Sequence, residues 1–499
     1  MMETIPVGEW VPDSATVDQT VLTVARNVLP GINGYGPVKD LAIYSAALGA
    51  QCVGGFCART SSGSYAIYAG TATKIYKLGS SGTSWTDMSG AATYNVPEKD
   101  LWSFAQFGTS LIATNANLAE PIVIDVDSGT AFAALGGSPP ACRGVEVVGD
   151  FVVLYGLVAN PSRVKWSAIN NPTIWTPGTS LSGYQDFPDG GDVTGVTGGE
   201  YGIIAQANAV RRMIRTPEFT TNAFRFVKVT DTVGGYGLWS LARSGDTVFM
   251  VGPAGFYAFG SSGGVPVGGG TVDAGGMRAI SSGRVTNWFS ATADVNAAGR
   301  IVCAADTSGT RIIWYFKSVD GSNATLYDKA LVYDWKLDKW SYFNCLVEYI
   351  MPAATVPASL DSETGSLDDE TGTLDDPTLN ASIYQLGAFN TVHKLGFYTG
   401  SNLEAVIETA DGFIGRPGII KVLGLRPDVD SSSYFVALSS RNEISETVAY
   451  NVESGPSVTG MCHMRKAARL HRARVRVPAG STWNFVKSLD IEFESAGVR

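Results

Sequence analysis

The chain has 499 residues, 45% of them hydrophobic and 16% charged, with 58 glycines and 20 tyrosines. So much apolar material excludes wholesale disorder, and the length suits two to four domains or one large β-ring with appendages. A net charge of −10 argues against gripping nucleic acid by phosphate neutralisation and suits a surface that DNA slides past.

Met1–Pro12 has neither a basic start nor an apolar run, so it does not read as a signal peptide, and no apolar stretch approaches the ~18 residues of a membrane span. A soluble protein made in a cytoplasm is expected. Residues 1–50 are punctuated by Pro and Gly, are weakly periodic, and read as an extended arm that lies on something else. From residue 51 to 345 the dominant signal is repetition. Leu101-Trp102-Ser103-Phe104-Ala105 is echoed by Leu238-Trp239-Ser240-Leu241-Ala242, three periods of about 46 residues later. Short apolar strands centre near Ile67, Ile112, Val152, Ile204, Phe249 and Val302, and a glycine precedes most of them: Gly108, Gly149, Gly199, Gly245 and Gly299. Four-stranded units at this spacing indicate an all-β fold, a β-propeller of six or seven blades; a β-sandwich with accidental spacing is the competing reading.

Residues 346–380 break the pattern. Leu360-Asp361, Leu367-Asp368 and Leu374-Asp375 repeat every seven residues beside Gly365 and Gly372, which excludes a coiled coil and reads as an exposed acidic loop. Residues 381–414 look like a hairpin set, with Leu395 placed to complete the ring. Residues 415–499 alternate in strands such as Tyr434–Leu438, Ala473–Val477 and Leu489–Phe493, predicting a C-terminal β-domain.

Chemistry is sparse. Cys52, Cys57, Cys142, Cys303, Cys345 and Cys462 are scattered without metal-ligand spacing and read as buried free thiols. The histidines, His393, His463 and His471, form no metal motif. Gly260-Ser261-Ser262-Gly263-Gly264 fits GxSxG only formally, without a strand-to-helix elbow. The cluster Asp361, Asp368, Asp369, Asp375 and Asp376 lacks calcium-loop spacing. Gly82-Thr83-Ser84-Trp85 keeps only the tail of a sialidase Asp-box. No catalytic, cofactor or metal residue is assigned, and the chain is read as a non-enzyme. The basic run Arg465, Lys466, Arg469, Arg472, Arg474 and Arg476 is the exception to the acidic balance, reading either as a solvated face or as a site for an acidic partner.

Three segments carry a resemblance. They are Gly8–Asp13 with Asn27-Val28-Leu29-Pro30 and Gly34-Tyr35-Gly36-Pro37; Leu360–Leu379 leading to Leu386–Phe389 and His393–Gly400; and Trp483 to Ala496-Gly497-Val498-Arg499. Together they resemble the tail hub or nozzle proteins of short-tailed bacteriophages, also called packaged-DNA stabilisation proteins. The resemblance implies a virion protein in six copies below the portal and its adaptor ring, docking tail fibres or spikes, through which double-stranded DNA leaves without sequence-specific binding. A carbohydrate-binding or glycan-degrading tail propeller and a component of a long-tailed phage are the alternatives. The interface candidates are Trp10, Asn27, Pro30 and Tyr35 in the arm, and Arg465, Arg469, Arg472, Arg474 and Arg476 in the basic run.

Overall fold

The computed structural model describes residues 1–14, 17, 20–79, 84–216, 223–260, 276–294, 301–306, 309–355, 384–412, 414 and 418–497. The strands follow the apolar runs. Phe151–Leu157 and Gly255–Gly260 are buried along their whole length, because each is the second or third strand of a sheet covered on both faces.

Five successive antiparallel four-stranded meanders come first. They are Gly55–Arg59, Tyr65–Gly70, Ile75–Leu78 and Trp85–Asp87; Ser103–Phe107, Ser110–Thr114, Ile122–Asp125 and Ala133–Ala134; Cys142–Val148, Phe151–Leu157, Arg163–Trp166 and Gly183–Asp186; Val193–Thr197, Gly202–Gln206, Val210–Arg215 and Phe224–Thr230; and Leu241–Ser244, Thr247–Gly252, Gly255–Gly260 and Arg278–Ala279. A sixth set follows: Val302–Asp306, Arg311–Phe316, Tyr327–Asp334 and the 16-residue strand Lys339–Ala354. That long strand changes partner midway. Up to Val347 it pairs with Tyr327–Asp334, and from Val347 it pairs with Tyr384–Asn390. Tyr384–Asn390 pairs with Lys394–Phe397, which pairs with Ala42–Ala47, giving a seventh four-stranded set.

The first strand of each of the first six sets lies beside the first strand of the next, and Lys339–Ala354 lies beside Gly55–Arg59, returning the path to its start. The apolar cores sit between sheets. Tyr68, Ile75, Leu111 and Ile124 join the first to the second; Ile112, Val145 and Leu154 the second to the third; Ile203, Val210, Phe249's neighbour Val248 and Phe259 the fourth to the fifth. Val332, Ile350, Leu386 and Ile67 join the sixth and seventh to the first. This is a β-propeller: no sheet buries both faces alone, and each is covered by its neighbours. The Glu348 carboxylate stitches the closure, accepting from the Cys52 backbone N–H at 2.9 Å and facing His393 Nδ1 at 2.6 Å.

Beside the propeller is a β-sandwich. One sheet runs in the order Cys462–Ala468, Ile419–Val429, Val486–Gly497, Gly34–Pro37 and Val28–Gly31, with Met2–Pro6 also paired to Val486–Gly497. The other is Val21–Arg26, Ala405–Thr409, Leu470–Val477 and Phe435–Arg441, with Glu9–Trp10 added in parallel to Val21–Arg26. Leu22, Val28, Ile407, Val422, Leu438, Val475, Trp483 and Phe493 fill the core between them.

The N-terminal segment therefore differs from the arm expected for residues 1–50. It supplies strands to both bodies of its own chain. The reason is edge protection: Val486–Gly497 and Lys394–Phe397 would otherwise present open edges, and Met2–Pro6, Gly34–Pro37 and Ala42–Ala47 cover them. The Leu-Asp repeat of 360–375 with its aspartates lies outside the described residues, as do Ser261–Gly264, Gly82, Thr83 and Gly299.

Candidate interaction surface

Trp10, Asn27, Pro30 and Tyr35 lie inside their own chain. Trp10 is fully buried, meets Trp288 edge-on at 4.8 Å between ring centres, and donates its indole N–H to the Thr23 carbonyl. The Tyr35 hydroxyl accepts from the Trp10 backbone N–H at 2.9 Å and donates to the Trp340 carbonyl. Asn27 sits at φ +59°, a left-handed conformation that asparagine tolerates better than most residues. Its amide donates to the Glu404 carbonyl at 2.7 Å and accepts from the Asn344 N–H at 2.8 Å, tying sandwich to propeller. Pro30 is buried in an edge strand opposite Tyr35, where a missing N–H is tolerated. Two further arm contacts fix the geometry: the Asp13 carboxylate accepts from the N–H groups of Asn287 and Trp288 at the start of the helix Thr286–Thr292. These four residues weld one chain together, and their side chains leave little surface to offer a neighbouring subunit.

The basic run divides in two. In Leu470–Val477 the apolar side chains alternate inward, and Arg472, Arg474 and Arg476 are half-buried on the other face. Each has a carboxylate. Arg472 reaches the fully buried Asp411 at 2.8 Å, and Asp411 also takes two hydrogen bonds from Arg441. Arg474 pairs with Glu408 at 2.6 Å and stacks on Tyr450 at 3.8 Å. Arg476 bridges Glu453 and Glu404, stacking on Phe435, and its hydrogen bond holds the Glu453 carboxyl below the usual range. These pairs follow strand register, since Arg474 lies directly across from Glu408. The sequence shows Arg472, Arg474 and Arg476 at alternate positions and Glu404 and Glu408 four residues apart, but not that they face each other.

Arg465 and Arg469 are different. With His463 and Lys466 they are exposed, and none forms an ion pair among the described residues. They lie on or next to Cys462–Ala468, which among the described residues pairs on one side only, with Ile419–Val429. The result, among the described residues, is a sheet edge that carries three cationic side chains, Arg465, Lys466 and Arg469. Such charge discourages indiscriminate edge-to-edge pairing and favours an acidic partner. Arg465 also helps Lys421 to hold the Glu494 carboxyl below the usual range.

No group of three or more potential ligands is arranged to hold a metal among the described residues. The cysteines are unpaired, and burial pushes the Cys142 thiol up to about 12 and those of Cys57 and Cys462 up to about 11, away from thiolate chemistry. Trp85, the tail of the Asp-box-like segment, donates its indole N–H to the Ala46 carbonyl and helps seat the closing strand. No described helix is long and apolar enough to cross a membrane.

The molecule is thus a β-propeller with a β-sandwich built from both ends of the chain. No protein-family model and no curated protein matches it. Among solved structures, streptogramin B lyase is similar at 11% identity and a TM-score of 0.39, over 72% of this chain and 97% of that one. The extracellular domain of a hybrid two component system from B. thetaiotaomicron is similar at 9% identity and a TM-score of 0.41, with 83% of this chain covering 47% of that one. The Cps50 (Swd1) β-propeller domain of Myceliophteria thermophila is similar at 9% identity and a TM-score of 0.35, over 62% and 89% of the two chains. At such values these likenesses assign no activity, and the propeller description stands on the strand pairing.

Proposed function

We propose that this chain is a structural, non-enzymatic subunit of a bacteriophage tail: six copies form the nozzle or hub below the portal and adaptor ring, dock fibres or spikes, and let genomic DNA pass. It is made in the host cytoplasm and resides in the virion. The observation that carries this reading is spatial. Segments that resemble the tail hub family and lie far apart in sequence meet in the fold: Tyr35 pairs with Val486, and the flanking strands Met2–Pro6 and Ala42–Ala47 pair with Ser488–Glu492 and with the strand after His393. A family likeness confined to segments that build one composite body is more specific than three isolated short motifs.

The net charge of −10 suits passage of DNA without counterion-release adhesion. The edge at Cys462–Ala468, flanked by Arg465, Lys466 and Arg469, is the surface best suited to an acidic neighbour in a head-to-tail ring. The test is the triple variant Arg465→Glu, Lys466→Glu, Arg469→Glu. Negative-stain images of the wild-type chain are expected to contain six-fold rings, while the folded variant stays dispersed. Rings formed equally by the variant would remove the edge from the interface.

A further inference from the structure

A groove of about 430 Å³ opens where the chain crosses from one sandwich sheet to the other. Asn442, Glu443, Ile444, Ser445, Arg469 and Leu470 line it. We propose that this groove, with the cationic strand beside it, receives the acidic Leu-Asp repeat, residues 357–380, of a second copy of this chain. The proposal rests on the head-to-tail ring put forward above and names the segment that joins one subunit to the next.

Arg469 is the residue between Cys462–Ala468 in one sheet and Leu470–Val477 in the other. Across from Leu470 stands Arg441, the last residue of Phe435–Arg441. The Arg441 guanidinium donates to the carbonyls of Ile444 at 2.6 Å and Glu446 at 2.7 Å, and it is itself held by the fully buried Asp411 carboxylate. The backbone of the groove wall is therefore fixed by the chain's own interior, so docking does not have to order it. On that fixed backbone the Ile444 side chain is 55% exposed, while Leu470 is buried. A rigidly held, uncovered isoleucine is an anchoring point for an apolar side chain.

Charge selects the occupant. Glu443 and Arg469 offset one another within the groove, and the excess is cationic: Arg465 and Lys466 are exposed on the adjoining strand, without an ion pair among the described residues. Glu494, whose carboxylate feels Arg465, is already taken by Lys421 at 2.6 Å. Residues 357–380 hold seven acidic residues and no Lys, Arg or His, and Leu360, Leu367 and Leu374 are each followed at once by aspartate. An apolar side chain with a carboxylate one residue on matches an exposed isoleucine beside arginines, and like charge turns the segment away from the rest of an acidic surface. Each subunit then carries one such segment and one groove, the condition for a head-to-tail ring.

Mass photometry on two full-length variants tests this by complementation. Arg465→Glu, Lys466→Glu, Arg469→Glu keeps the segment and loses the groove. Asp361→Asn, Asp368→Asn, Asp369→Asn, Asp375→Asn, Asp376→Asn keeps the groove and loses most of the segment's charge. Each alone is expected to stay near the 52.6 kDa of one chain, and their mixture to give a species of twice that mass and none larger. That species should disperse when salt is raised from about 50 to about 500 mM. A synthetic peptide of residues 357–380 should disperse wild-type rings, and its Leu360→Ser, Leu367→Ser, Leu374→Ser form should need about tenfold more. The peptide measurement uses only the wild-type chain, so a variant that misfolds does not decide the outcome. A mixture that stays monomeric, or wild-type rings that the peptide leaves intact, would overturn the proposal. Rings formed by the aspartate variant as by the wild type would overturn it while leaving the ring itself standing; a wild-type chain that forms no ring would remove both.

Discussion

Replacing Trp10 by alanine tests whether the N-terminal segment is welded into its own chain. Trp10 is fully buried against Trp288 and Tyr342, at ring-centre distances of 4.8 and 5.0 Å, so it bridges the strand Glu9–Trp10, the helix Thr286–Thr292 and the sixth sheet. A buried tryptophan hides about 200 Å², which at ~25 cal/mol/Å² is about 5 kcal/mol. Measured truncations of large aromatic residues cost about 3–5 kcal/mol, in agreement. The Tyr35 hydroxyl keeps its bond to the backbone N–H of residue 10, so the loss is one of packing plus the indole bond to Thr23. In guanidinium titrations followed by near-ultraviolet circular dichroism, Trp10→Ala is expected to lower the main transition by that amount and to expose the N-terminal residues to protease. Val452→Ala, at an exposed position, serves as the neutral control. A loss below about 1 kcal/mol for Trp10→Ala, comparable to an ordinary surface change, would refute the weld.

Three further outcomes are expected. Asp411→Ala leaves Arg441 and Arg472 without their buried counter-charge and should cost about 3–5 kcal/mol in chemical denaturation. Burial pushes the Glu146 carboxyl up from 4.5 to about 7, against the opposing pull of the Val147 and Gly198 N–H groups and Arg243. Between those two values the folded chain holds a proton the unfolded chain has released, so this group's contribution falls as pH rises through the window. Since Glu146 is partly exposed, Glu146→Gln is expected to raise stability by about 1–2 kcal/mol at pH 8 and to change little at pH 4, read as melting temperature against pH. Deleting residues 2–30 removes four strands from the sandwich and should unfold it, visible as loss of a calorimetric transition.

The propeller was legible because its signals are local. Ile67, Ile112, Val152, Ile204 and Phe249 each fall in the second strand of a meander, and Trp102 and Trp239 stand just before first strands three sheets apart. Gly108 and Gly245 mark the turns between first and second strands, at φ +61° and +60°; a Cβ there would meet nothing, so the backbone conformation alone calls for glycine. Val302 breaks the pattern by falling in a first strand, because the sixth set follows a helix and a longer connection. The closing strand Ala42–Ala47 was not legible. It pairs with residues some 350 positions away, and a strand's partner is not written in its own periodicity. The basic run was legible as a run but not as two classes of residue: only register distinguishes Arg474, opposite Glu408, from Arg465 on a sheet edge.

The most direct test of the central claim is the mass of the purified full-length chain in solution by mass photometry across a concentration series. A ring-forming tail subunit is expected to populate a species near six times the 52.6 kDa of one chain, lost in the Arg465→Glu, Lys466→Glu, Arg469→Glu variant. A chain that stays monomeric at every concentration, alone and with adaptor-ring protein, would contradict the account.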